Sequence, residues 1–220
     1  MDADVRRHDG KGEDVTEKLV LHEYPPSGNC YKIRLVAAHL GFDLERRPYD
    51  ILRGETRTPE FLRDVNANGR IPVLQIGDRF LPESMAACFY LADGSPLIPE
   101  DRFDRADMLR WMAFEQYNHE PNVATLRFWL AFVGEAGLSE AQKAAIPARR
   151  AGGEAALGVM DEHLRERRFF VADRFTLADV ALYAYTHVAG EGGFDLAPWP
   201  AVQAWLARVA ALPGHVPIDA

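Results

Sequence analysis

Hydrophobic and polar positions divide the chain into two unlike halves. Lys18-Leu19-Val20-Leu21-His22-Glu23 is a short β-rich run, closed by the turn formers Tyr24-Pro25-Pro26-Ser27-Gly28-Asn29. Ile33, Val36, Ala37 and Leu40 then fall on one helical face that ends at Gly41. Asp43 to Tyr49 reads as a second strand, and Thr58-Pro59-Glu60 opens a helix with proline at its first position. Two strands, Ile71 to Ile76 and Arg79 to Leu81, flank the turn dipeptide Gly77-Asp78, and Glu83 to Ala92 reads as a helix. This order predicts a βαβ unit followed by a ββα unit around one small sheet.

Beyond Gly94-Ser95-Pro96 the strand signals vanish. Met108, Trp111, Met112 and Glu115 mark a helix over Asp104 to His119. Asn122 to Val133 is apolar nearly all round, which predicts a central buried helix. Ala144 to Arg167 and Ala201 to Leu212 give two more helices, and Thr176-Leu177-Ala178-Asp179 has the form of a capping box flanked by Phe175 and Val180 as a staple. The expected fold class is therefore α/β plus all-α: a βαβαββα domain over 18–93, a linker over 94–103 and a helix bundle over 104–220. The polar residues 1–17 read as a flexible extension with no apolar segment for a signal peptide.

Composition narrows the function classes. A formal net charge of −8, with scattered arginines, argues against nucleic acid as a partner. The apolar stretch Trp129 to Val133 is far too short for a bilayer. The two cysteines, Cys30 and Cys88, show no redox or metal spacing, and the seven histidines show no ligand spacing. No metal is expected, and a reducing cytoplasm fits this cysteine usage.

Three local features carry candidate chemistry. Ser27-Gly28-Asn29-Cys30 stands at a helix start, where free amides and the positive dipole end favour a thiolate or another anion. Ser27 and Asn29 are also ordinary caps. Arg70-Ile71-Pro72 opens a strand; a cis Pro72 would leave the backbone of Ile71 exposed to a peptide-like ligand, and a trans one would be a simple edge device. Glu83-Ser84 opens a helix with an acid for an ammonium group and a hydroxyl for a carboxylate, or else acts only as a cap.

The order and spacing of these features, with Ile71-Pro72 about 45 residues after Ser27 and Glu83-Ser84 about 11 further on, resemble the glutathione site of cytosolic glutathione transferases. Ser27-x-Asn29-x-x-Lys32 and Glu115-Gln116-Tyr117 look most like bacterial members near the nu, theta and beta classes. The resemblance covers residues 18 to about 212 and implies a thioredoxin-like first domain. It implies Ser27 and Asn29 as catalytic partners of the thiol, Ile71 and Pro72 on the cysteinyl backbone, and Glu83 and Ser84 on the γ-glutamyl end. Lys32, Arg53, Arg57 and Arg70 are the cations on offer to the glycine carboxylate.

No catalytic tyrosine is evident; Tyr24 lies three residues before Ser27 and is expected beside the sheet end. Cysteine-dependent members carry their cysteine at the position of Asn29, so Cys30 reads as a buried small hydrophobe. Tyr117, His119, Phe128 and Trp129 are the expected wall of a pocket for a small hydrophobic electrophile. The implied activity is transfer of glutathione, with a homodimer as the assembly. Glutathione-dependent disulfide or peroxide reduction, and a non-catalytic binding or scaffold role, are the alternatives.

Overall fold

The structure, a computed structural model, describes residues 18–220, so the expected extension over 1–17 lies outside the described residues. The elements of the first half are β1 (Leu19–Glu23), α1 (Gly28–Leu40), β2 (Glu45–Pro48), α2 (Pro59–Asp64), β3 (Val73–Ile76), β4 (Arg79–Pro82) and α3 (Ser84–Ala92). The sheet runs β2-β1-β3-β4, with β1 and β2 parallel and the other two pairs antiparallel. Leu21 of β1 pairs with Leu74 of β3, which pairs with Leu81 of β4, aligning apolar side chains across the sheet. This is the expected thioredoxin-like βαβαββα order. β2 is shorter than its sequence reading because its Glu-Arg-Arg-Pro side chains form an exposed edge, where charge and proline are tolerated. α1 stops at Gly41, whose left-handed φ of 74° lets its amide return to the Ala37 and Ala38 carbonyls.

The second half contains α4 (Arg102–Phe114), α5 (Glu120–Arg127), α6 (Glu140–Leu164), α7 (Leu177–Thr186) and α8 (Pro200–Ala210). No helix among the described residues is long and apolar enough to cross a membrane. Two readings of the pattern change here. The helix expected to run unbroken to His119 passes instead into a π-turn, Glu115–His119. The segment over Asn122 to Val133 is not the buried central helix; α5 passes into a second π-turn, Phe128–Val133, none of whose residues is buried. The helix buried along its whole length is α7.

Burial of α7 depends on its capping box. Asp179 accepts hydrogen bonds from the Thr176 amide at 2.9 Å, the Phe170 amide at 3.2 Å and Trp205 Nε1 of α8 at 3.0 Å. The Thr176 hydroxyl in turn accepts from the Ala178 amide. One buried carboxylate thus satisfies donors from three segments that would otherwise be orphaned in the core.

α1 joins the two halves through a buried charge. Its Lys32 is fully buried, and its ammonium donates to Asn29 Oδ1 at 2.7 Å, Glu115 Oε1 at 2.9 Å and Glu120 Oε2 at 3.2 Å. The π-turn makes this possible. Widening one turn to an i→i+5 bond brings Glu115 and Glu120, five residues apart, onto the same face. Burial pushes the Glu115 carboxyl up to about 7, with the Lys32 ammonium opposing it. Burial also raises Glu120, but Lys32 and the hydrogen bonds from Asn29, Lys32 and Gln116 outweigh it and hold this carboxyl below the usual range.

Removing one partner of a buried ion pair leaves the others uncompensated, at a cost of about 3–5 kcal/mol. Lys32→Met is therefore expected to lower the urea-unfolding free energy by about that amount at pH 7. The loss should shrink as pH falls below 7, because without the ammonium Glu115 and Glu120 take up protons more readily in the folded variant and no longer leave uncompensated charge. An unfolding midpoint unchanged by the substitution would contradict this role.

Candidate functional site

The site forms where the β1–α1 turn meets α5 and α7. Tyr24 and Ser27 close the turn through a 2.8 Å backbone hydrogen bond, and Ser27 caps α1 in an extended conformation. The Ser27 hydroxyl oxygen accepts from the Cys30 amide at 3.4 Å, which leaves its own proton available. The neighbouring Asn29 amide is taken by the Tyr185 hydroxyl of α7 at 3.2 Å. Two of the helix amides expected for an anion are therefore capped by side-chain oxygens, and the hydroxyls of Ser27 and Tyr185 stand in their place.

The side chains of Asn29 and Lys32 are both tied into the junction between the halves. The Asn29 side chain donates to Glu120 Oε1 at 2.9 Å and accepts from Lys32 and from the Ser84 hydroxyl, the latter at 3.3 Å. It thereby links α1 to α3 and α5. Lys32 is turned into the interface with three acceptors, so its ammonium is not presented to a glycine carboxylate. Arg53 and Arg70 are exposed; Arg53 pairs with Asp50, and Arg57 donates to the Asn68 carbonyl. Cys30 is buried, its sulfur accepts from the Tyr24 amide, and burial pushes its thiol up to about 12.

At the start of β3 the Ile71–Pro72 peptide is cis. Glu83, exposed between β4 and α3, has a φ of 75°, a conformation uncommon for a side-chain-bearing residue. Ser84 behind it is buried. Its hydroxyl donates to Asn29 of α1, so the start of α3 meets the start of α1.

Ser27 and Ile71 open onto a cavity of about 380 Å³ between the halves. Its far wall comes from α5 and the following π-turn and includes Phe128, Trp129 and Phe132, with Thr125 and Arg127 among them. Tyr24 is not packed away beside the sheet but lines this cavity, its ring edge-on to Phe132. Of the four expected pocket residues, Phe128 and Trp129 are here and Tyr117 and His119 are not. Tyr117 is 83% exposed on the outside of the π-turn. His119 is buried against the Thr186 hydroxyl, with its imidazole pushed down to about 3 by burial and by Lys32. The π-turn, which the sequence pattern does not signal, rotates both away from a simple helical register.

Three polar residues are among the cavity positions that the sequence pattern does not single out. Glu120 lines the wall, and so does Arg127, whose guanidinium is anchored on the Pro26 carbonyl and Glu191. The third is Tyr185, whose ring covers Gly28 so closely that a Cβ there would come within 2.5 Å of it. Gly28 was the available signal, since a glycine in a first helical turn marks close approach by another group. Among the described residues, no group of three or more His, Cys, Asp or Glu side chains is placed to hold a metal ion.

Comparison with known proteins agrees with this architecture. The glutathione S-transferase N-terminal domain matches residues 17–93, and the glutathione S-transferase C-terminal domain matches residues 119–213. Glutathione S-transferase 3 of Zea mays is 32% identical over 204 residues, which is 89% of this chain and 90% of the maize protein. A crystal structure of a possible glutathione S-transferase from Rhodopseudomonas palustris superposes with a TM-score of 0.86 at 45% identity, covering 91% of this chain and 90% of that one. A glutathione S-transferase from Pseudomonas fluorescens gives a TM-score of 0.85 at 43% identity, covering 91% and 98%. With both domains matched and relatives aligned over nearly their whole length, this chain belongs to the glutathione S-transferase family.

Proposed function

We propose that the chain binds glutathione along the β3–α3 edge and activates its thiol at the amino end of α1 for attack on small hydrophobic electrophiles. The observation that carries this reading is the Ser27 hydroxyl. Its oxygen is held by the Cys30 amide, its proton is free, and it faces a cavity whose opposite wall is aromatic. A thiol with a pKa near ~8.5 is only a few per cent ionised at neutral pH. Lowering that value by about two takes roughly 2.7 kcal/mol, and one hydrogen bond to a charged group supplies about 1.5–3 kcal/mol. Ser27 is therefore adequate as a donor without a general base. The thiol proton leaves to solvent, and the sulfur keeps its electron pair for the electrophile.

Ile71, beside the cavity, is suited to hold the cysteinyl backbone, and Glu83 and Ser84 the γ-glutamyl end. Arg53 and Arg70 remain exposed cations for the glycine carboxylate. Phe128, Trp129 and Phe132 suit an apolar or aromatic electrophile, which favours addition or halide displacement over reduction of a disulfide. The raised thiol of Cys30 argues against a protein-borne mixed disulfide.

Ser27→Ala is expected to lower kcat/KM toward an aryl halide at neutral pH by about 10- to 100-fold with little change in glutathione KM. Asn29→Ala should act mainly on stability, through its ties to Lys32, Glu120 and Ser84. Full activity in the Ser27 variant, assayed beside a mixed-disulfide substrate, would sink the transferase mechanism.

Assembly as a homodimer accounts for side chains the fold leaves outside. Tyr90 on α3 and Phe103 and Leu109 on α4 are exposed large hydrophobics, Phe103 by 76%. Light scattering should give the mass of two chains, and Phe103→Asp should shift it toward one. A monomeric mass for the unaltered protein would refute the assembly.

A further inference from the structure

We infer that the Tyr185 hydroxyl is a second donor to the glutathione sulfur, delivered from the helical half to the amino end of α1 beside Ser27. The inference deepens the proposed function and rests on its placement of the sulfur there. Tyr185 belongs to α7, the fully buried helix, and its side chain reaches across the boundary between the halves. Its ring lies on Gly28, where no side chain could be accommodated, and its hydroxyl accepts from the Asn29 amide at 3.2 Å. The next amide, that of Cys30, is held by the Ser27 hydroxyl at 3.4 Å. Two hydroxyl oxygens are thus seated on consecutive amides of one helix end, and both residues line the same cavity.

A phenol whose oxygen already accepts from a backbone amide has one proton left to give. Among the described residues the Tyr185 hydroxyl has no acceptor for that proton, and the residue is only 8% exposed. Buried donors are rarely left without partners, and an anionic sulfur in the cavity is an acceptor of the required kind. Burial, with the Glu120 charge adding to it, holds the phenol above its ordinary range. Tyr185 therefore keeps its proton and acts as a donor and not as a base. In the activating step the S–H bond breaks and its proton passes to solvent. The sulfur keeps the electron pair, and both hydroxyls keep their own protons.

The test is the pH titration of bound glutathione, followed by thiolate ultraviolet absorbance, together with the pH profile of kcat/KM. Tyr185→Phe keeps the ring over Gly28 and removes the donor. It should raise the thiol's titration midpoint by about 1 pH unit, roughly a tenfold loss of acidity. Its kcat/KM should fall about tenfold at low pH and converge on the unaltered enzyme at high pH, where the thiolate forms regardless. Fluorotyrosine at position 185, a stronger donor of nearly the same shape, should move the midpoint downward. If the unaltered protein shows a lowered midpoint and both replacements leave it in place, or if rates fall equally at every pH, Tyr185 is only a strut and the inference is overturned. If the unaltered protein shows no lowered midpoint, the proposed activation itself fails along with it.

Discussion

The buried ammonium of Lys32 holds the amino end of α1 against the helical half, and the candidate site depends on that contact. Three oxygens, from Asn29, Glu115 and Glu120, surround the charge. An unpaired ammonium in the interior would be expensive, so the three acceptors must be present together. This requirement fixes how α5 approaches α1, and with it the distance between Ser27 and the aromatic wall of the cavity. The same helix end is fixed a second time by Tyr185, whose ring needs Gly28 and whose hydroxyl takes the Asn29 amide. The site is therefore built by both halves of the chain, although its first residue lies in only one of them.

Much of the fold is legible in the sequence because it follows from short-range signals. The strand and helix order of the sheet half follows from period and punctuation: Gly41 ends α1, Thr58-Pro59 starts α2, and Gly77-Asp78 turns β3 into β4. The capping box at Thr176–Asp179 is equally local, and its reciprocal bonds are present. What periodicity cannot register is a change of helical pitch. The π-turn at Glu115–His119 shifts the phase by a fraction of a turn, sending Tyr117 outward and His119 inward and aligning two glutamates that an ideal helix would set apart. The apolar run to Val133 misleads for a related reason, because side chains that line a cavity are as apolar as those of a core.

The candidate site is legible to the extent that its residues act through the backbone near them. Ser27, the Ile71–Pro72 peptide and Glu83-Ser84 stand at element ends, where sequence marks position well. Lys32 reads as an available cation because a sequence shows its charge but not its burial. Tyr185 carries no local mark of the cavity it lines, since its partner Asn29 lies 156 residues away. Its complement in the sequence is the glycine that makes room for it.

The proposed place of the glutathione sulfur, at the amino end of α1, is tested most directly by the structure of the complex. A crystal structure with glutathione bound is predicted to place the sulfur in the cavity within about 3.5 Å of Ser27 Oγ, at the limit of hydrogen-bond reach. A sulfur directed away from Ser27, against Cys30 or out toward solvent, would contradict it.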